Sequence, residues 1–358
     1  MSRVKSWGVI GVVTIASTAA LWMAAGMQTI KQNFDGPYYA VVAKSWYDRD
    51  IIRRNFSFPL PLEYYAAHFP MYPLLISAFA KIGYLNGAVI INLVATMAVG
   101  IVLYEIVREF KWGNPLVLAL VWLFWWPRIW IVRSIASPET LFILWMLLSL
   151  YFFQKKKFWW AGITGAAAVL TKSPGILLPI AYGLWLIANY VKTKKITWQA
   201  WPVLLIPMAL VGVFGLFYVR TGDFWAYFHS GDNIHLQLLP FRVFDSSQPW
   251  VGNFWLEDVL WIYLVGAVGV WRMFRKSAVW GWFGAVFYTT ILFVSHRDIS
   301  RYALPLAPII WVGTAEILEK KEIKWALIVL TIPAFLYSWN FLVHNTAAIS
   351  AWAPFFSS

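Results

Sequence analysis

Long apolar runs are the feature that most constrains this chain. A bilayer crossing needs about 20 apolar residues, and fewer when helices tilt or pair. Because backbone groups in hydrocarbon must find their hydrogen bonds within the chain, such runs predict helices. Hydrophobic residues make up 61% of the 358 positions and 25 are tryptophan, a residue typical of membrane interfaces. The runs lie near Trp7–Met27, Ala88–Val107, Pro115–Val132, Glu139–Phe153, Trp159–Leu170, Gly175–Tyr190, Trp201–Val219, Val259–Met273, Val279–Val294, Tyr302–Ile317 and Trp325–Leu342.

These runs predict an all-α polytopic membrane protein with about eleven transmembrane helices. If the N-terminus is cytoplasmic, the inner loops hold sixteen of the 29 Lys and Arg residues but five of the 16 acidic ones. Such a bias sets orientation in the membrane. We therefore predict a cytoplasmic N-terminus and an outer C-terminus, in the plasma membrane of a prokaryote. We attribute the net charge of +13 to the Lys and Arg residues that orient the chain in the membrane. Membrane lipids and no nucleic acid are therefore expected as partners.

Chemically active residues gather on the predicted outer side, in two long segments at about 29–86 and about 220–258. No repeat or linker divides the chain, which favours a single membrane domain over 1–358. Tyr38–Tyr47 has apolar and aromatic residues at helical spacing beside Lys44 and Asp48, and this predicts an amphipathic helix on the membrane surface. A second apolar segment, from His68 through Phe79, is expected to dip into the outer leaflet.

Two motifs in the first outer segment resemble a known family. The first is Asp35 followed by Tyr38-Tyr39, Ala43 and Trp46-Tyr47, and the second is His68-Phe-Pro-Met-Tyr-Pro-Leu-Leu-Ile76. Ser137-Pro138-Glu139 and Ser300-Arg301-Tyr302-Ala-Leu-Pro305 add to the likeness. Together they resemble the GT-C glycosyltransferases, and within them the PIG-V-type mannosyltransferases most. Met71 and His68 depart from that pattern, where the family often has Leu and an aromatic residue.

The resemblance implies an integral membrane glycosyltransferase of the inverting type. Such an enzyme moves a hexose, mannose foremost, from a polyprenyl-phosphate donor to an acceptor hydroxyl on the outer face. The acceptor is expected to be lipid-linked or a glycan. The resemblance also implies a GT-C-like module over 1–190, with its catalytic outer loop at about 29–86, and variable helices over 191–358. No cofactor is predicted, and dependence on a divalent metal is left open.

Asp35 and Glu139 are the candidate catalytic residues. Displacement at an anomeric carbon needs a base for the acceptor hydroxyl, and Asp35 is the candidate because partial desolvation can raise a carboxyl pKa toward neutrality. Helix capping is the alternative role for Asp35. Glu139 starts a predicted span, where the helix dipole alone favours a carboxylate. The family analogy instead makes Glu139 a second acid that orients the acceptor or the base.

Cationic and hydrogen-bonding groups are needed for the leaving phosphate. Arg301 is the best candidate, since arginine close to a span is costly unless an anion offsets the cost; snorkelling or pairing with Asp298 is the alternative. His68 has stacking or capping as its ordinary role, and Lys172 is placed at the outer tip of a hairpin. The residues predicted to contact donor phosphate or substrate are His68, Lys172, Arg301, Arg297, Tyr39 and Tyr72.

Two other functions compete with transfer. A transporter or flippase of lipid-linked sugar would share the basic, many-span character, but transporters usually place ionisable groups within spans and show repeat symmetry. A binding or scaffold protein with a decayed site is the third possibility. No metal site is predicted, because His229 and His235, with Asp232 between them, do not share a helix face.

Overall fold

A computed structural model of the chain describes residues 2–33, 35–56, 60–231, 235–250 and 256–356. Over these residues the chain is helical, and its β-type contacts are two single bridges. Phe34 and Asp232 lie outside the described residues. The α-helices in chain order are α1 (Arg3–Ala25), α2 (Met27–Lys31), α3 (Gly36–Ser45), α4 (Arg49–Asn55), α5 (Met71–Ser77), α6 (Tyr84–Phe110), α7 (Pro115–Phe124), α8 (Pro127–Val132), α9 (Glu139–Gln154), α10 (Phe158–Thr171), α11 (Leu177–Thr193), α12 (Leu205–Thr221), α13 (Leu256–Lys276), α14 (Ala278–Leu292), α15 (Ile299–Tyr302), α16 (Ala307–Gly313), α17 (Ala315–Leu318), α18 (Lys321–His344) and α19 (Ala353–Phe356). Short 3-10 helices cover Leu62–Ala67, Ala80–Ile82, Ser173–Ile176, Trp198–Leu204, Arg242–Phe244 and Leu304–Leu306.

Each predicted apolar run coincides with one or more of these helices, which confirms the all-helical fold. The count of eleven crossings and the orientation remain predictions, because several of the helices are short. Helical segments long and apolar enough to cross a membrane, within the described ranges, are Arg3–Ala25, Tyr84–Phe110, Ser173–Thr193, Trp198–Thr221 and Lys321–His344. Shorter apolar helices are Pro115–Phe124, Glu139–Gln154, Phe158–Thr171 and Ala278–Leu292.

The antiparallel pair of α9 and α10 forms the part of the fold that matters most for the site. The chain turns between them at Lys155–Lys157, and α10 also packs on α12. Gly165 allows this close approach, since a Cβ there would lie 2.4 Å from Cδ1 of Ile206 in α12. Because α9 and α10 run in opposite directions, the first residue of α9 lies beside the last residues of α10.

The helix predicted on the membrane surface forms, but it is buried. Nine of the ten residues of α3 are buried, and α5 and α6 pack against it. The prediction of a surface helix is wrong because α3 ends before Asp48, so Lys44 is its one charged residue and no polar face exists. The exposed helix of this segment is α4, where Arg53 and Arg54 face solvent. Helix α3 therefore serves as a buried support for the residue that precedes it, Asp35.

Candidate active site

Five side chains predicted for the site come together, although they are far apart in sequence. Asp35 precedes α3, Glu139 begins α9, Lys172 follows α10 and Arg301 lies in α15, while His68 follows the 3-10 helix Leu62–Ala67. His68 is close enough to Asp35 for each to affect the other's pKa. We call these five residues the charged cluster. Asp35, Glu139, Lys172 and His68 each lie at the end of a helix or next to one. Helix packing brings these distant parts of the chain together.

Arg301 is the centre of the charged cluster. Its Nε donates to Oε1 of Glu139 at 2.7 Å and its Nη2 donates to Oδ2 of Asp35 at 2.9 Å. Its Nη1 lies 3.8 Å from Oδ2 of Asp298. Burial alone would lower the pKa of Arg301, but Glu139 and Asp35 outweigh it and raise that pKa above its ordinary value. The guanidinium therefore stays charged and is held between carboxylates.

Glu139 bridges the two cations of the cluster. Its Oε1 also accepts a hydrogen bond from Nζ of Lys172 at 2.7 Å, and its Oε2 accepts from Oγ of Ser137. The side chain is only 3% exposed. Glu139 thus starts its helix, where the helix dipole favours it, and in addition orients Lys172 and Arg301 toward one point.

The pKa of Asp35 differs from the value that the sequence led us to expect. Burial raises its pKa, as predicted, but Arg301 and His68 lower it by more, so the pKa lies below the usual value for aspartate. The prediction of a pKa near neutrality is therefore wrong for this state of the site. The alternative role also finds no support, because the Asp35 side chain makes no capping hydrogen bond to α3.

His68 lies in an aromatic setting that keeps it neutral. Burial is the largest effect and lowers its pKa to about 4, although Asp35 acts in the opposite direction. Its ring centroid lies 5.5 Å from that of Tyr38 and 4.6 Å from that of Tyr39. Tyr72 packs against Tyr39 in turn, at 5.1 Å. Tyr39 and Tyr72, predicted to contact substrate, are buried and here support His68.

Sequence reasoning missed two residues next to the cluster, Arg128 and Tyr64. Arg128 pairs with Asp298, and its guanidinium carbon lies 4.0 Å from the ring centroid of Phe341. A charge inside a predicted span is expensive, so the position of Arg128 in the run Pro115–Val132 was an available signal. Tyr64, half-buried with its ring 5.4 Å from that of His68, had no signal that set it apart from other aromatic residues.

Other predicted or considered residues lie apart from the cluster. The Arg297 side chain is exposed and has no ion pair within the described part of the chain, so the structure does not bring it to Arg301. His229 pairs with Asp223 at 2.6 Å, whereas His235 stacks on His296 with ring centroids 4.0 Å apart. These two histidines therefore have different partners.

A cavity of about 380 Å³ lies elsewhere, at the opposite end of the α9–α10 hairpin. It is lined by Lys156, Phe158, Trp185, Asn189, Thr197 and Gln199. Since none of these residues belongs to the charged cluster, we define the site by its ion pairs instead of by this cavity.

Comparison with known proteins gives a likeness in structure but none in sequence. No protein-family model and no curated protein matches the sequence. The structure resembles the crystal structure of ArnT from Cupriavidus metallidurans bound to undecaprenyl phosphate, with a TM-score of 0.56 and 15% sequence identity. The match covers 89% of this chain and 62% of the ArnT chain, so this chain spans less than two thirds of that protein.

At this level of identity the likeness shows the fold alone. The shared fold supports the GT-C part of the sequence resemblance and does not test the PIG-V-type specificity. The apolar helices and the membrane-protein neighbour together support an integral membrane protein. The chain therefore shares the fold of that ArnT structure, and five of its described helical segments are long and apolar enough to cross a membrane.

Proposed function

We propose that the chain is an integral membrane glycosyltransferase that uses a polyprenyl-phosphate-linked sugar as donor. The observation that carries the proposal is the meeting of Asp35 with Arg301, Glu139 and Lys172, which places a carboxylate beside two cations. The likeness to a structure that binds undecaprenyl phosphate supports a lipid-linked donor. Glycosyl transfer from such a donor needs both a base and cations for the phosphate.

In the proposed reaction the acceptor oxygen forms a bond to the anomeric carbon as its proton passes to the Asp35 carboxylate. The bond from that carbon to the phosphate oxygen breaks, and its electron pair stays with the polyprenyl phosphate. Arg301 and Lys172 stabilise the charge that develops there, a contribution that grows toward the transition state. Glu139 keeps the two cations in position, since it accepts a hydrogen bond from each.

The finer features of the proposal rest on the sequence resemblance and, for the side of the membrane, on the distribution of Lys and Arg along the chain. They are a mannose or other hexose donor, inversion at the anomeric carbon, a lipid-linked or small glycan acceptor, and a site on the outer face of a prokaryotic plasma membrane. No cofactor is part of the proposal.

The test is sugar transfer by the purified chain in detergent, with synthetic polyprenyl-phosphate-mannose as donor and mass spectrometry of the products. We expect transfer by the unmodified chain and its loss in Asp35→Asn. The matched control is Asp50→Asn, which removes a carboxylate from the same outer segment where the side chain is 71% exposed. Robust transfer by Asp35→Asn would exclude Asp35 as the base.

The same preparation also tests the rival function, a transporter or flippase of lipid-linked sugar. In sealed vesicles, movement of the lipid-linked sugar across the bilayer without transfer would favour a flippase. Product anomers assigned by NMR would decide between inversion and retention.

A further inference from the structure

The further inference concerns how the donor phosphate enters the site, and it rests on the proposed role of Arg301. In this structure the guanidinium is already occupied: Nε by Glu139, Nη2 by Asp35, and Nη1 near Asp298. A phosphate that binds Arg301 in bidentate fashion has to displace at least one carboxylate. The question is which carboxylate leaves.

Glu139 and Asp298 are held by more than Arg301. Glu139 is 3% exposed and also accepts from Lys172 and Ser137. Asp298 is 12% exposed and also pairs with Arg128. Moving either carboxylate would leave a second cation, with at most 22% of its side chain exposed, without its partner, which is a costly change.

Asp35 is held much less firmly. Its side chain is 30% exposed, and within the described residues Arg301 is its one side-chain hydrogen-bond partner. The residue lies in the turn before α3 and its side chain does not cap that helix. Rotation of the Asp35 side chain therefore breaks one ion pair and leaves no second cation without its partner.

Charge balance favours the same exchange. In the charged cluster, the charges of Lys172 and Arg301 balance those of Asp35 and Glu139. Beside the cluster, the charge of Arg128 balances that of Asp298. A phosphate adds at least one negative charge to a site that is already neutral. The site can relieve this excess by releasing the Asp35 carboxylate and by binding a proton there, and a proton is what the acceptor hydroxyl has to give up.

We propose that Asp35 occupies the phosphate position of the empty site, and that the donor phosphate displaces it from Arg301 and so releases the base. Before the donor binds, Asp35 is tied to a guanidinium and is a weak base. Once phosphate takes Nη2 of Arg301, Asp35 loses its cationic partner and gains an anionic neighbour, and both changes strengthen it as a base. The base thus becomes effective only when a donor is present to react.

The test is a double-mutant cycle on binding of undecaprenyl phosphate, the carrier without sugar, to the full chain in detergent. We expect Asp35→Asn to bind the lipid about tenfold more tightly than the unmodified chain, because the competitor is weakened. In an Arg301→Gln background the same substitution should change affinity about twofold or less. Asp50→Asn is the control and should leave affinity unchanged.

Two outcomes overturn the inference. One is an affinity of Asp35→Asn equal to or below that of the unmodified chain. The other is a gain of the same size in both backgrounds, which would indicate repulsion at a distance without competition for Arg301. Thermal melting of each variant confirms that it is folded.

A measurement on the unmodified chain keeps the inference testable if Arg301→Gln fails to fold. The infrared carboxylate band that Asp35→Asn removes should shift when undecaprenyl phosphate is added, and an unchanged band would overturn the inference. None of these experiments needs turnover. Lipid binding with displacement but without transfer would refute the proposed function alone, whereas transfer with an unmoved Asp35 would refute the inference alone.

Discussion

Two buried arginines in this protein have opposite kinds of partner. Arg133 is 1% exposed and donates to the carbonyl of Leu123 and the hydroxyls of Ser17 and Thr18. Arg301 is 10% exposed and lies among carboxylates. Neutral acceptors belong to the fold and cannot be exchanged for an anion without loss of structure, whereas a carboxylate can be replaced by a phosphate of the same charge. The kind of partner, more than burial, therefore separates Arg301, the proposed phosphate ligand, from Arg133.

The largest expected effect is the difference in transfer activity between variants that lack Arg301 and variants that lack Arg133. Arg301→Gln is expected to reduce transfer roughly 10²- to 10³-fold, because the developing phosphate charge loses its main partner. Arg133→Gln should keep transfer within about threefold while the free energy of unfolding falls by roughly 1–3 kcal/mol, since buried acceptors lose their donors. Transfer assays and thermal melting on both variants check this. An equal loss of transfer in the two variants would remove the distinction between them.

The second prediction compares two carboxylates that share Arg301. Glu139→Gln should lower the free energy of unfolding by about 3 kcal/mol, because two buried cations then share a neutral amide. Asp35→Asn should cost about 1 kcal/mol or less, since its partner keeps Glu139 and the side chain is partly exposed. Denaturation of the two variants in parallel gives the ranking. If Asp35→Asn were the more damaging change, the weak hold on Asp35 would be contradicted.

The third prediction uses pH. The pKa of His68 is about 4 in the folded chain and about 6.5 in an unfolded one, so the unfolded state binds the proton first. Stability should therefore fall as pH falls from about 6.5 to about 4, by up to on the order of 3 kcal/mol. The pKa of Asp35 is lowered, so its contribution is lost only below that window.

Melting curves between pH 7 and pH 4.5 test this point. In His68→Gln the loss over that window should shrink, and in Arg133→Gln it should persist because that arginine has neutral partners. A pH dependence that is unchanged in His68→Gln would show that another group is responsible.

The smallest effect is expected at Gly36, the residue after Asp35. A Cβ at Gly36 would lie 2.7 Å from Cβ of Ala136, on the segment that leads to Glu139. Gly36→Ala should therefore push the two segments apart, lower transfer severalfold and lower the free energy of unfolding by roughly 1–3 kcal/mol, because the Ala136 atoms in the way cannot rotate aside. Gly11→Ala is the matched control, because nothing lies within 4 Å of a Cβ there. Equal activity of the two variants would argue that the spacing of Asp35 and Glu139 is not critical.

The long apolar helices were predictable because each is signalled locally, whereas short helices such as α4 and α19 were not predicted. Apolar length marks the long helices, and capping residues such as Asn114, which accepts from two backbone N–H groups at the start of α7, mark their ends. The burial of α3 was not predictable in the same way. Pro37 through Ala43 is apolar on every side, and such a run does not reveal whether lipid or protein surrounds it.

The members of the site were largely predictable, and their pairing was not. Asp35 and Glu139 were recognised from motifs, yet Asp35 and Arg301 are 266 positions apart and meet through packing that no local pattern encodes. For the same reason the pKa of Asp35 was predicted in the wrong direction. Desolvation could be inferred from its place in the chain, but the guanidinium that reverses its effect could not.

The hairpin of α9 and α10 makes the ion pair at its open end insensitive to equal changes in the length of its two arms. Glu139 and Lys172 lie at its open end, and the turn at Lys155–Lys157 closes the other end. An insertion of one helical turn on each side of the closed end would lengthen both helices equally and leave the ion pair in place. Only a difference in length between the two arms would separate Glu139 from Lys172. In related chains, the two helices should therefore grow or shorten together.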